Sequence, residues 1–157
     1  MSEAADFIDA ALQYEASPYS QGGDGSDQLD RYGASVGAIR GTIRDAARRY
    51  PGLTHDEITS LSSELWALPV FERRRAAIVL LQTNAGLLLH TDLTRLEGFI
   101  RTAGSTPLVD ALVEEVLRPL LDGLDASSHA KADVVITRWS TDPDPELRRA
   151  SKMVSDD

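Results

Sequence analysis

The stretch Trp66-Ala67-Leu68-Pro69-Val70-Phe71-Glu72-Arg73-Arg74-Arg75-Ala76-Ala77 is answered further on by Trp139-Ser140-Thr141-Asp142-Pro143-Asp144-Pro145-Glu146-Leu147-Arg148-Arg149-Ala150-Ser151. In each copy an apolar helical pattern runs out near a tryptophan and a proline breaks it. The next helix then opens on Glu-x-Arg-Arg-Ala and a small residue. The two copies lie 73 to 74 residues apart, about two helix-pair repeats of ~37 residues each, a period typical of stacked helical repeats. Elsewhere apolar residues recur at three- and four-residue spacing, and no segment alternates at period two. The expected fold is therefore all-α, with antiparallel helix pairs stacked as a HEAT-like α-solenoid.

Punctuation residues set the expected helix boundaries. A short helix covers about residues 3–15, and Ser17-Pro18 to Asp27 reads as a flexible loop that includes the tether Gly22-Gly23-Asp24-Gly25. A second helix runs from Ser35 to Tyr50, with Val36, Ile39, Ile43, Ala46 and Ala47 on its buried side, and Pro51-Gly52 stops it. Thr54 followed by Glu57 is a capping box opening a helix through Leu68. Pro69 ends that helix, and the next spans Val70 to Asn84. Thr91 or Asp92 caps a helix carrying Leu93, Leu96 and Ile100, and Thr106-Pro107 opens one that Asp122-Gly123 closes. Proline is tolerated early in a helix because its missing N–H would have no partner there. The last two helices cover about 128–140 and 144–155. This divides the chain into residues 1–30, an N-terminal helix with an acidic loop, and residues 31–157, a helical-repeat domain.

Composition narrows the function. With 157 residues, 42% apolar and 26% charged, the chain is sized for one folded domain. Its longest apolar run, Ala76 to Leu81, is far too short for a bilayer span. An acidic N-terminus and the absence of cysteine argue for a cytoplasmic setting and against sulfur chemistry. The net charge of −9 is unevenly spread. Residues 1–30 hold seven acids and no base, residues 31–101 ten arginines against seven acids, and residues 102–157 six bases against eleven acids. The central excess is wholly arginine, the residue best matched to phosphate. Arg40, Arg44 and Arg48 form one stripe at four-residue spacing, which could follow a phosphate backbone or simply face solvent. Asp110, Glu114, Arg118 and Asp122 form another, and on pattern alone it is a solvated helix face with one Glu–Arg pair.

Three adjacent arginines cannot point one way. Arg73-Arg74-Arg75 fans over about 200° of a helix, so one of them must enter the packing and pair with an acid such as Glu72 or a neighbour. Trp66 and Trp139, at helix ends in both copies, read as packing residues between layers. His55, His90 and His129 lack the spacing of metal ligands and read as surface residues, so neither metal nor organic cofactor is expected.

Tyr32-Gly33-Ala34-Ser35-Val36-Gly37-Ala38-Ile39-Arg40 is similar to the opening motif of the DNA alkylation repair enzymes, the AlkD-like alkylpurine DNA glycosylases. Leu65-Trp66 through Glu72-x-Arg74 resembles their "LW…ExR" signature. Leu108-Val109-Asp110-Ala111-Leu112 looks like the segment carrying the family's active-site aspartate, and Trp139 through Ala150 like the helix boundary supplying its arginine. The resemblance runs in order from about residue 30 to the C-terminus, shorter than the family's usual length. Thr106 stands where family members carry a groove tryptophan, and Glu146 where an aromatic is common. The resemblance implies hydrolytic removal of N-alkylated purines from duplex DNA. It assigns Asp110 as the catalytic carboxylate and Arg149 as a phosphate or sugar contact. Arg40, Arg44, Arg148 and Thr106 would lie along the DNA. The alternative it leaves open is an inactive helical-repeat module binding DNA or a protein. An uncapped C-terminal repeat would in either case favour self-association.

Overall fold

A computed structural model describes residues 1–16 and 27–156. The loop from Ser17 onward and the Gly22–Gly25 tether therefore lie outside the described residues. The helices are α1 (Glu3–Tyr14), α2 (Val36–Arg49), α3 (His55–Ala67), α4 (Phe71–Thr83), α5 (Leu93–Thr102), α6 (Thr106–Leu112), α7 (Arg118–Asp122), α8 (Ala126–Trp139) and α9 (Pro145–Ser155). No strand forms among the described residues; the fold is all-α, of the helical-repeat kind, with consecutive helices packed as antiparallel pairs. No helix among them is long and apolar enough to cross a membrane. Contacts group the residues into two units, Met1–Thr83 and Asn84–Asp157.

The first unit is organised around α4. After the charged opening Glu72 to Arg75 the helix is apolar on every side, and Glu72, Arg73, Arg74 and Ala76 through Leu81 are all buried, as expected of a helix wrapped by neighbours. α3 enters through the expected capping box, with Thr54 and Glu57 each bonding the other's backbone N–H. The turn after α3 is extended at Leu68 and carries Pro69, so the last carbonyls of α3 find no backbone donors of their own. Arg73 and Arg74 supply them. Arg73 Nη2 donates to the Glu64 carbonyl at 2.7 Å and Nε to that of Leu65 at 3.3 Å. Arg74 Nε donates to the Trp66 carbonyl at 3.1 Å, with its guanidinium 5.4 Å from the Trp66 ring centre. Positive charge at a helix C-terminus is also favoured by the backbone dipole.

Arg73 is fully buried and Arg74 nearly so, so two arginines of the run enter the packing. The charge partner of Arg73 is Asp9 of α1 at 2.8 Å, not Glu72. Glu72 is engaged elsewhere, accepting the backbone N–H groups of Tyr32 at 2.8 Å and Gly33 at 3.2 Å. Gly33 has φ +90°, a backbone state costly for any residue with a Cβ. Three residues before Gly33, Asp30 pairs with the α3–α4 turn through Asp30 N–H to Pro69 O and Phe71 N–H to Asp30 O, both 2.9 Å. The Tyr32 hydroxyl donates to Asp9 at 2.6 Å, closing a cluster of Asp9, Tyr32 and Arg73. Burial pushes the Asp9 carboxyl up, but bonds from Tyr32, Arg73 and Gln13 outweigh it and hold it below its ordinary value. Burial and the Asp9 carboxylate push the Tyr32 phenol up to about 12.

α2 buries Ile39, Thr42, Ile43 and Ala46. Val36 and Ala47, expected inside, are exposed. The buried arc is turned by about 40° from the expected one, with Thr42 packing inward and those two left outside.

In the second unit two 3₁₀ turns, Ala85–Leu87 and His90–Asp92, precede α5. Asp92 is nearly buried and accepts the Leu89 N–H at 2.7 Å, so it closes the turn before α5 and makes no cap to α5 itself. The helix expected from Thr106 to Asp122 is continuous but not uniform. α6 passes through a π-helical turn, Val113–Leu117, before continuing as α7. α8 is capped by the Asp125 carboxylate on Ser128 N–H; that bond lowers the Asp125 carboxyl. It pairs with α9, where Ser151 Oγ donates to the Ile136 carbonyl at 2.9 Å. Trp66 and Trp139 are both buried, as packing residues should be.

A candidate carboxylate–arginine site

The candidate site lies in the second unit, where α9 packs against α6 and the π turn. An ordinary α-helix would not present Asp110 and Arg118 to one partner. They are eight residues apart, which on a regular helix offsets them by about 80°. The wide turn absorbs one extra residue, about 100° of rotation, and brings the two to within about 20°. Both then address α9. Arg118 Nη2 donates to the Met153 carbonyl at 2.7 Å, and its Nη1 lies 3.6 Å from Glu114. Asp110 meets Arg149. The expected stripe of four exposed side chains is thus divided: Asp110 and Arg118 engage α9, and Asp122 remains exposed.

Arg149 stands between two carboxylates. Its Nη1 donates to Asp110 Oδ1 at 2.5 Å and its Nη2 to Glu146 Oε2 at 2.9 Å, while the Met153 sulfur lies 3.4 Å from Nη1. Hydrogen bonding to Glu146 and then to Asp110 raises the Arg149 guanidinium above its ordinary value, against burial. About half of the Asp110 side chain is solvent-accessible (46%), and a third of those of Arg149 and Glu146. The carboxylate is therefore ionically paired yet reachable. Among the described residues, the second oxygen of Asp110 has no protein donor.

What aims Arg149 is the turn between α8 and α9. Arg101 of α5 grips Asp142 with two bonds of 3.0 and 2.7 Å. Asp142 also accepts the Asp144 N–H at 2.9 Å. Arg101 first, and then this N–H, hold the Asp142 carboxyl below its ordinary value. Arg148 Nη1 donates to the carbonyls of Asp142 at 2.7 Å and Pro143 at 2.9 Å. Trp139 Nε1 donates to Glu97 at 2.6 Å, and Glu97 lies 3.5 Å from Arg101. The apolar pattern places Trp139 in the packing, and nothing in the sequence marks its bond to Glu97. Nor does the sequence mark Glu146 as the third member of the site, although Glu146 and Arg149 stand at the i, i+3 spacing of a helical ion pair.

Of the other assigned residues, Thr106 is the exposed first residue of α6, one turn before Asp110. Arg148 is exposed, but one of its nitrogens already serves the turn. Arg40 and Arg44 lie one turn apart on the exposed side of α2 in the first unit, Arg40 bonded to Gln82 at 3.1 Å. The structure brings Asp110, Arg149 and Glu146 together in one cluster.

Fold and cluster define a helical-repeat protein presenting a carboxylate clasped by arginine. A family model described as DNA alkylation repair enzyme matches residues 6–154, nearly the whole chain, and the chain belongs to that family. The match reaches further toward the N-terminus than the motifs, taking in most of α1. No curated protein matches the chain.

Proposed function

We propose that the protein removes N-alkylated purines from duplex DNA, in the cytoplasm, by hydrolysing the glycosidic bond. An alkylated purine already carries positive charge, so its ring nitrogen can take the bonding electron pair without a strong general acid. Departure of the base leaves a cationic sugar. Water adds to the anomeric carbon and loses a proton to solvent. A carboxylate beside that carbon stabilises the cation and orients the water. Asp110 is the group for this task, and the observation that carries the reading is its pairing with Arg149 on an accessible surface. Arg149 is the contact for phosphate or sugar, suited to it by its planar donor fork. Arg40, Arg44, Arg148 and Thr106 contact the strand along their exposed faces.

The alternative, an inactive helical-repeat module, draws on the same pairing, since Arg149 offsets the charge of Asp110. One assay separates them. Duplex DNA treated with a methylating agent should release 3- or 7-methylpurine, and Asp110→Asn should cut release at least about a hundredfold while leaving duplex affinity in place. Affinity without release would favour the module. Neither release nor salt-sensitive affinity would sink the repair reading.

A further inference from the structure

The cluster holds two carboxylates and one guanidinium, and so carries one uncompensated negative charge. Asp110 alone with Arg149 would be a neutral pair with little attraction for a cation. Glu146 changes that. It takes one of the two terminal nitrogens of Arg149, and among the described residues the buried Nε finds no partner. Among the described residues, Glu146 Oε2 and the Met153 sulfur compete with Asp110 for this guanidinium. Glu146 is itself fixed at the first turn of α9, where its N–H is bonded to the Asp144 carboxylate at 2.8 Å.

We propose that Glu146 is a positioning residue that keeps Arg149 divided between two carboxylates, so that the site retains a net negative charge and selects cationic over neutral sugar sites in DNA. This rests on the reading of Asp110 as the group that faces the cation. A phosphate approaching Arg149 would draw it further from Asp110, with Glu146 retaining its other nitrogen. Specificity then comes from charge balance as well as from shape.

The probe is a pair of duplexes differing at one position, a cationic pyrrolidine abasic analogue against a neutral tetrahydrofuran one. The affinity ratio reports the charge felt at the site without requiring catalysis. Wild type should prefer the cationic duplex and Asp110→Asn should not. Glu146→Gln keeps an acceptor for Arg149 but removes the charge, and should reduce the preference roughly fivefold, the effect of one charge about 7 Å away in a half-aqueous setting. Glu146→Asp should restore most of it. A ratio unchanged in Glu146→Gln, with wild type and Asp110→Asn behaving as stated, overturns the role of Glu146 alone. A wild-type chain indifferent to the cation overturns the reading of Asp110 and this inference with it.

Discussion

Arg73 and Leu147 hold the same place in the two copies of the Glu-x-Arg-Arg-Ala pattern, and both are fully buried. Replacing Arg73 with leucine would write the second copy's solution into the first, and the surroundings do not allow it. The change removes a charge-assisted bond to Asp9, worth about 1.5–3 kcal/mol. It also leaves the Glu64 and Leu65 carbonyls without their donor, at about 1 kcal/mol each. No longer burying a guanidinium offsets part of this. The net expectation is a loss of about 3 kcal/mol, against a total stability of about 5–15 kcal/mol for a domain. Urea unfolding followed by circular dichroism should show the midpoint falling by about 1–2 M. In the Arg73→Leu background, Asp9→Asn should cost little, because the carboxylate has already lost its charge partner and an amide oxygen can still accept from Tyr32, giving a coupling of about 1–2 kcal/mol. Acid should shrink the penalty. Asp9 has a lowered folded value, so its contribution is present above its ordinary value of 3.8 and lost as pH falls through the folded one. A penalty under about 0.5 kcal/mol, or additive single mutants, would refute the view that Arg73 closes α3 and anchors α1.

Tyr32 makes the opposite prediction in alkali. Its folded value near 12 lies above the ordinary 10.0, so its contribution is whole below pH 10 and lost as pH rises toward 12. Discounted for partial exposure, that is about 1 kcal/mol; absorbance at 295 nm should show one late-ionising tyrosine, absent in Tyr32→Phe. Deleting the exposed Glu114 removes the residue that the π turn absorbs, so the segment can close as an α-helix with Asp110 and Arg118 seven residues apart, still within about 20° of one another. Arg118 then keeps the Met153 carbonyl, Leu120 and Leu121 stay in the core, and thermal melting should fall by no more than about 3 °C. A fall of about 10 °C or more, with Glu114→Ala melting near wild type, would show that the wide turn itself is needed for the packing against α9.

Helix placement was readable because its signals are local. The Thr54–Glu57 box, the prolines at 69, 107, 143 and 145, and apolar spacing each act within a turn or two. The errors have equally local causes. Thr42 has a hydroxyl, so the apolar pattern favours Val36 and Ala47 over it, although a buried threonine fits a helix face well. The π turn has no such mark, since Val113-Glu114-Glu115-Val116-Leu117 reads as ordinary helix. The site was harder because its partners are distant along the chain. Asp110 and Arg149 are 39 residues apart, and Glu97 and Trp139 are 42. Resemblance could nominate Asp110 and Arg149 singly, but only packing could put one against the other.

Several residues that carry the family likeness in the first unit do structural work. Tyr32 and Gly33 offer their backbone to Glu72, and Arg74 closes α3 at Trp66. Recognition through them therefore speaks to the fold and leaves chemistry open. The second copy uses the same letters differently. Arg148 repeats the role of Arg74, giving its hydrogen bonds to the carbonyls of the preceding turn. Where Glu72 is buried against the Tyr32-Gly33 backbone, Glu146 stays half-exposed and takes Arg149 instead. Leucine at 147 needs no carboxylate partner of the kind Arg73 requires, so the acids near the second copy are not consumed by its core. That frees one arginine and two carboxylates to meet at the surface. The candidate site arises where one repeat departs from the other, which is also where substitutions should alter DNA chemistry without unfolding the protein.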